Sequence, residues 1–150
     1  MTGEALTILL VEDNEDHAEL VQRNFADNHV ANTIHHVKDG EEALNYLFRK
    51  GAYADPAKSP LPNLILLDLR LPKVDGIEVL KEIKASEALK SIPVVVLTSS
   101  SAEQDIAKAY ASNANSYLVK PVDFEKFTRM MKDLGYYWLA WNRNPQKPRD

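Results

Sequence analysis

The chain has no cysteine among its 150 residues, which excludes a disulfide framework, a thiolate metal site, an iron–sulfur cluster and a cysteine nucleophile. It has no basic excess: 18 Lys+Arg stand against 22 Asp+Glu, a net charge of −4, so nothing favours a phosphate backbone, and nucleic acid is not an expected partner. Long apolar runs are missing too. Runs such as Ile8 to Val11 and Leu64 to Leu67 fall far short of the ~20 residues a membrane helix needs, so no membrane partner is expected. The start Met1-Thr2-Gly3-Glu4 lacks the basic and apolar regions of a signal peptide, which makes a cytoplasmic location the expectation. There are only 5 glycines and no G-x-x-x-x-G-K-[ST] run, which disfavours a P-loop nucleotide enzyme. No Gly/Ser linker divides the chain, and one domain over 1–150 is expected.

What is present is an alternation of short apolar runs with segments of helical period. Strands are expected at Leu6–Val11, Thr33–Val37, Leu64–Leu67, Val94–Leu97 and Ser116–Val119. Helices are expected near Asp16–Asn28, where Asp16 with Glu19 can form the cap, from Glu41 to near Gly51, from Gly76, after Ser100 or Ser101, and after Asp123. The stretch Gly51 to Pro62 holds three prolines and no usable period, as in a long surface loop. Five such βα units predict a doubly wound α/β sheet, flavodoxin-like, of order 2-1-3-4-5. Its site lies beyond the carboxyl ends of the strands.

That edge is where the polar residues fall. Glu12 and Asp13 follow the first strand, Asp68 the third, Thr98 the fourth and Lys120 the fifth. Three carboxylates gathered without an arginine fork repel one another, and a hard cation with oxygen ligands relieves them. Mg²⁺ suits such a site because it keeps several waters and needs few protein ligands. With two carboxylates on the metal, the third can attack phosphorus. Lys120 offers a point charge to a phosphoryl oxygen and Thr98 a hydroxyl donor, while the small Ser99 leaves an approach open. The four histidines do not form a metal set: His35 and His36 point to opposite faces of one strand, and His17 and His29 lie on and after a helix. Structural or solvated roles are expected for all four.

These residues carry a resemblance. Leu9-Leu10-Val11-Glu12-Asp13, Leu66-Leu67-Asp68-Leu69-Arg70-Leu71-Pro72-Lys73-Val74-Asp75-Gly76, Val96-Leu97-Thr98-Ser99 and Tyr117-Leu118-Val119-Lys120-Pro121, in that order, resemble the receiver domain of two-component response regulators over about residues 6–134. The resemblance implies that Asp68 is the phosphoacceptor, and that Glu12, Asp13, Asp68 and the backbone carbonyl of Arg70 hold Mg²⁺. It further implies that Thr98, Ser99 and Lys120 bind the phosphoryl group, that Thr98 and Tyr117 form a switch, and that the Lys120-Pro121 peptide is cis. Such a protein is not an enzyme beyond its own phosphotransfer and autodephosphorylation. Its phosphodonor is a sensor histidine kinase. The alternative is a pseudo-receiver, an interaction module that signals without phosphorylation. A phosphatase of the haloacid dehalogenase type would need a second acid two residues after Asp68, where Arg70 stands.

The stretch Gly135-Tyr136-Tyr137-Trp138-Leu139-Ala140-Trp141 contains both tryptophans and two of the six tyrosines. Aromatic residues at this density favour protein interfaces, so Tyr136, Tyr137, Trp138 and Trp141 are the candidate dimer interface. The polar tail 143–150 follows, and no output domain is expected, so a response would pass through a downstream phosphotransfer or effector protein. A stand-alone receiver with this loop and extension is similar to the regulators paired with bacterial phytochrome histidine kinases. That similarity implies a bacteriophytochrome kinase as partner and a homodimer.

Overall fold

A computed structural model describes residues 6–27, 32–98 and 116–119, together with residues 125, 126 and 129. Five strands, β1 (Leu6–Val11), β2 (Asn32–Val37), β3 (Leu64–Asp68), β4 (Val94–Thr98) and β5 (Ser116–Val119), form one sheet in the order β2-β1-β3-β4-β5. Every neighbouring pair is parallel, as the alternation of strand and helix requires. Three helices are α1 (Glu15–Asp27), α2 (Gly40–Leu47) and α3 (Gly76–Ala85). The helix expected after Ser100 and most of the last one lie outside the described residues, although Glu125, Lys126 and Arg129 are helical.

The apolar runs of β1, β3 and β4 are uniform because helices cover both faces of these strands. Alternate residues then fall into two separate cores. Leu9, Val11, Ile65, Leu67, Val94 and Val96 pack with Ala43, Tyr46 and Leu47 of α2 and with Val79, Leu80 and Ile83 of α3. Ile8, Leu10, Leu64, Leu66, Val95 and Leu97 pack on the other face with Ala18 and Val21 of α1. The period of two along each strand and the three-to-four spacing along each helix are thus read out directly as packing.

Two local expectations need correction. The cap of α1 is Asn14, whose Oδ1 accepts from His17 N at 3.0 Å, and not Asp16, which already lies inside the first turn. An Asx side chain must sit one residue before the helix to reach its free N–H groups, and Asn14 holds that place. The helix expected to run to near Gly51 ends at Leu47, and a 3₁₀ turn follows at Gly51–Tyr53. The stretch from Gly51 to Pro62 is mostly exposed, as expected of a surface loop, but it is anchored at its end. Ser59 is fully buried, Tyr46 donates its hydroxyl to Pro60 O at 2.8 Å, and Arg49 donates Nε to Ser59 O at 3.3 Å. Tyr46 of α2 and Arg49 just after it thereby satisfy carbonyls that an isolated loop would leave to water.

Candidate functional site

β1 and β3 lie side by side at the centre of the sheet, with Val11 opposite Leu67. Their next residues are Glu12 and Asp68, so the parallel register alone brings these two carboxylates together. Glu12, Asp13 and Asp68 each present a carboxylate oxygen within 4.8 Å of the others. Glu12 and Asp68 are buried at 1% and 3% exposure, while Asp13 is exposed. Three like charges at that spacing, two of them out of water, are unfavourable without a counter-charge. Oxygen-only ligands at a strand edge match a hard divalent cation such as Mg²⁺, and the donor set fits it chemically.

The backbone fixes the two buried carboxylates. Asn14 N donates to Glu12 Oε2 at 3.1 Å and Arg70 N donates to Asp68 Oδ1 at 3.0 Å. Leu69 N donates to Leu97 O at 3.2 Å, which extends the β3–β4 ladder one residue beyond Asp68 and anchors the chain just after it. The Glu12 backbone is held from the β2 side: its N donates to Val37 O at 3.0 Å, and His36 Nε2 lies 2.7 Å from Glu12 O. A carbonyl can only accept, so Nε2 carries the proton and His36 is in that tautomer or doubly protonated. His17 Nδ1 is 3.9 Å from Glu12 Oε2.

The three carboxylates converge as the strand ends predict, and structural or solvated roles are the expectation for the histidines. His36 fits that expectation as a structural donor to backbone, but it braces a residue of the cluster. His17 is a helix residue, and it comes near Glu12 because the Asn14 cap starts α1 three residues after Glu12. Thr98 ends β4 and is buried at 2% exposure, on the strand neighbouring Asp68. Tyr117 lies in β5 with its backbone opposite Val96. Arg70 is exposed two residues after Asp68. Ser99, Lys120, Pro121, Tyr136, Tyr137, Trp138 and Trp141 lie outside the described residues.

An acidic triad at the switch point of a 2-1-3-4-5 parallel sheet defines a class: doubly wound domains that hold a divalent cation beside a carboxylate at a strand end. Residues 8–132 match the response regulator receiver domain family, and the chain belongs to that family. Among its relatives, the probable methanogenesis regulatory protein FilR2 of Methanothrix harundinacea is 49% identical over 92% of this chain and 86% of its own length. Response regulator Rcp1 of Synechocystis sp. is 42% identical over 88% of each. Among solved structures, the bacteriophytochrome response regulator AtBRR is 45% identical with a TM-score of 0.79, over 90% of this chain and 96% of that one. The phosphorylated cyanobacterial phytochrome response regulator RcpA is 42% identical with a TM-score of 0.76, over 91% and 95%. Rcp1 in its Mn²⁺-bound form is 42% identical with a TM-score of 0.73, over 89% and 94%. The chain is therefore a receiver-domain response regulator homologous to phytochrome response regulators, and receivers are signalling proteins that bind a divalent metal. Among the described residues no helix is long and apolar enough to cross a membrane.

Proposed function

We propose that this chain accepts a phosphoryl group on Asp68 from a sensor histidine kinase and thereby switches a protein-binding surface. The observation that carries the proposal is the convergence of Glu12, Asp13 and Asp68 within 4.8 Å at the sheet's switch point. That arrangement opposes the pseudo-receiver alternative, because a module that never handled phosphate would gain nothing from two buried carboxylates side by side.

In the proposed reaction an Asp68 carboxylate oxygen attacks phosphorus. The new O–P bond forms as the P–N bond of a phosphohistidine breaks, and the departing imidazole takes a proton from water. Glu12, Asp13, Asp68 and the backbone carbonyl of Arg70 would hold a divalent ion, which would supply charge neutralisation on the phosphoryl oxygens. Glu12 and Asp13 serve as ligands rather than nucleophiles. The Arg70 N–H bond to Oδ1 holds the Asp68 carboxylate in one orientation for the attack. Thr98 donates its hydroxyl to the transferred group, with Ser99 beside it and Lys120 as the cation. Movement of Thr98 toward the phosphoryl group couples to Tyr117 and changes the surface beyond β4 and β5. Catalysis extends to the chain's own phosphotransfer and dephosphorylation and no further.

The domain runs over about 6–134, with 135–150 as an aromatic extension and polar tail, and Tyr136, Tyr137, Trp138 and Trp141 serve a homodimer. The protein works in the cytoplasm, where its kinase phosphorylates it and a downstream phosphotransfer or effector protein reads it. The relatives AtBRR and RcpA support a bacteriophytochrome as that kinase. The FilR2 relative, at 49% identity, supports a second reading in which the same receiver serves a metabolic sensor. Phosphotransfer rates from a purified bacteriophytochrome kinase separate the two: fast transfer favours the light input, and transfer no faster than from an unrelated kinase removes it. The core proposal is tested by intact-mass measurement after incubation with acetyl phosphate and Mg²⁺. One phosphoryl adduct is expected, lost in Asp68→Asn and in EDTA. Failure of the wild type to gain mass would favour the pseudo-receiver. Light scattering after gel filtration, with and without beryllofluoride, tests the dimer, and a monomer in both states contradicts it.

A further inference from the structure

The loop that leaves the acidic cluster is closed into a ring and pressed against a distant turn. At its base, Gly76 N donates to Leu69 O at 3.0 Å, and a Cβ on Gly76 would lie 2.4 Å from Asp68 O, so no other residue lets the loop close there. At its tip, Lys73 has φ 71° and Val74 N donates to Pro72 O at 2.8 Å. This is a γ-turn of the rare left-handed form, strained in an L residue and kept only where the surroundings hold it.

Those surroundings are the start of α2, where Asp39 caps the helix and Gly40 is its first residue. Gly40 N also donates to Pro72 O, at 3.4 Å. A Cβ on Gly40 would stand 1.8 Å from Val74 O and 2.7 Å from Val74 C, so the two backbones are in direct contact and only a bare Cα fits. Lys73 Nζ lies 3.5 Å from Glu41 Oε1 and 3.9 Å from Asp39 Oδ2, but its side chain is 61% exposed, and such pairs contribute little. The clamp is the steric contact at Gly40. Between base and tip the ring carries Arg70, whose N–H donates to Asp68 Oδ1 at 3.0 Å just ahead of the base.

We propose that Gly40 is a positioning residue for the divalent metal: by seating the loop tip it holds the Arg70 backbone where its carbonyl serves the site. This rests on the metal assignment under Proposed function. Gly40 touches neither metal nor phosphoryl group and acts through the Pro72–Val74 turn, as supporting residues do at other metal sites.

Calorimetric titration of the full chain with Mg²⁺ tests it, on wild type, Gly40→Ala and Lys73→Gly. Gly40→Ala is expected to weaken binding by roughly tenfold or more with its circular dichroism unchanged. Lys73→Gly, which takes the positive φ without strain and loses only the exposed ion pairs, is expected to change binding little. Should Gly40→Ala fail to fold, amide hydrogen exchange on the wild type gives the answer. Coupling is reciprocal, so saturating Mg²⁺ must slow exchange at Gly40 and Val74. A folded Gly40→Ala that binds Mg²⁺ as wild type does, or exchange at Gly40 indifferent to Mg²⁺, overturns the proposal. Absence of saturable Mg²⁺ binding in the wild type overturns the metal assignment itself and the proposal with it, a result distinct from either of these.

Discussion

Replacing Asp13 with asparagine should make the metal-free protein more stable and remove most of its response to Mg²⁺. The three carboxylates lie within 4.8 Å of one another, and at that distance a pair repels by ~1 kcal/mol in a water-like medium and ~3 kcal/mol at the effective dielectric of a protein surface. Asp13 is the exposed member, so solvent screening places its two repulsions near the lower figure, for a total of roughly 2 kcal/mol. In a chain of this size that amounts to a rise of about 4–8 °C in Tm. Wild type, by contrast, should gain ~2.7 kcal/mol when Mg²⁺ stands at a hundred times its Kd, and Asp13→Asn should gain much less because one ligand is gone. The assay is thermal unfolding of both proteins in EDTA and in excess Mg²⁺. A variant that melts below wild type in EDTA, or keeps the full Mg²⁺ increment, would refute the electrostatic account of the cluster.

Tyr53 donates its hydroxyl to Glu42 Oε2 at 2.5 Å, and its pKa is pushed up to about 12 from 10.0, first by burial and then by this bond. The folded chain therefore keeps a proton that the unfolded chain gives up. Stability from the protonated phenol is complete below pH 10.0 and lost as pH rises toward about 12; unfolding measured across that window should show a slope that Tyr53→Phe flattens, and an equal slope in both would contradict the assignment. In the core, Leu66 is fully buried between the neighbouring strands β1 and β4, so Leu66→Ala should cost ~2–5 kcal/mol in urea unfolding. Leu61→Ala, at 40% exposure, should stay within about 0.5 kcal/mol of wild type.

The sheet was legible because a strand buried on both faces must be apolar throughout, and Leu64 to Leu67 and Val94 to Leu97 leave no other use for such runs. The acidic site was legible for a related reason: in a parallel sheet all strands end on one edge, so Glu12, Asp13 and Asp68 could be placed together without knowing a single side-chain position. The misplaced α1 cap was a contest between two Asx residues two positions apart, which only the backbone geometry at Asn14 decides. The burial of Ser59 and the bracing of Pro60 by Tyr46 were hidden because they depend on one helix end meeting a loop, a contact with no periodic signal. The Gly40 contact with Val74 was equally silent. Asp39-Gly40 has the form of an ordinary turn, and the need for glycine arises from a backbone 34 residues further along the chain, counting from 40 to 74.

The central claim is that phosphate arrives on Asp68 and on no other carboxylate of the cluster. The most direct test treats the protein with acetyl phosphate and Mg²⁺, reduces the acyl phosphate with borohydride and locates the resulting homoserine by peptide mapping. The account predicts homoserine at position 68 alone, absent when Mg²⁺ is withheld. Reduction product at Glu12 or Asp13, or at position 68 irrespective of Mg²⁺, would contradict it.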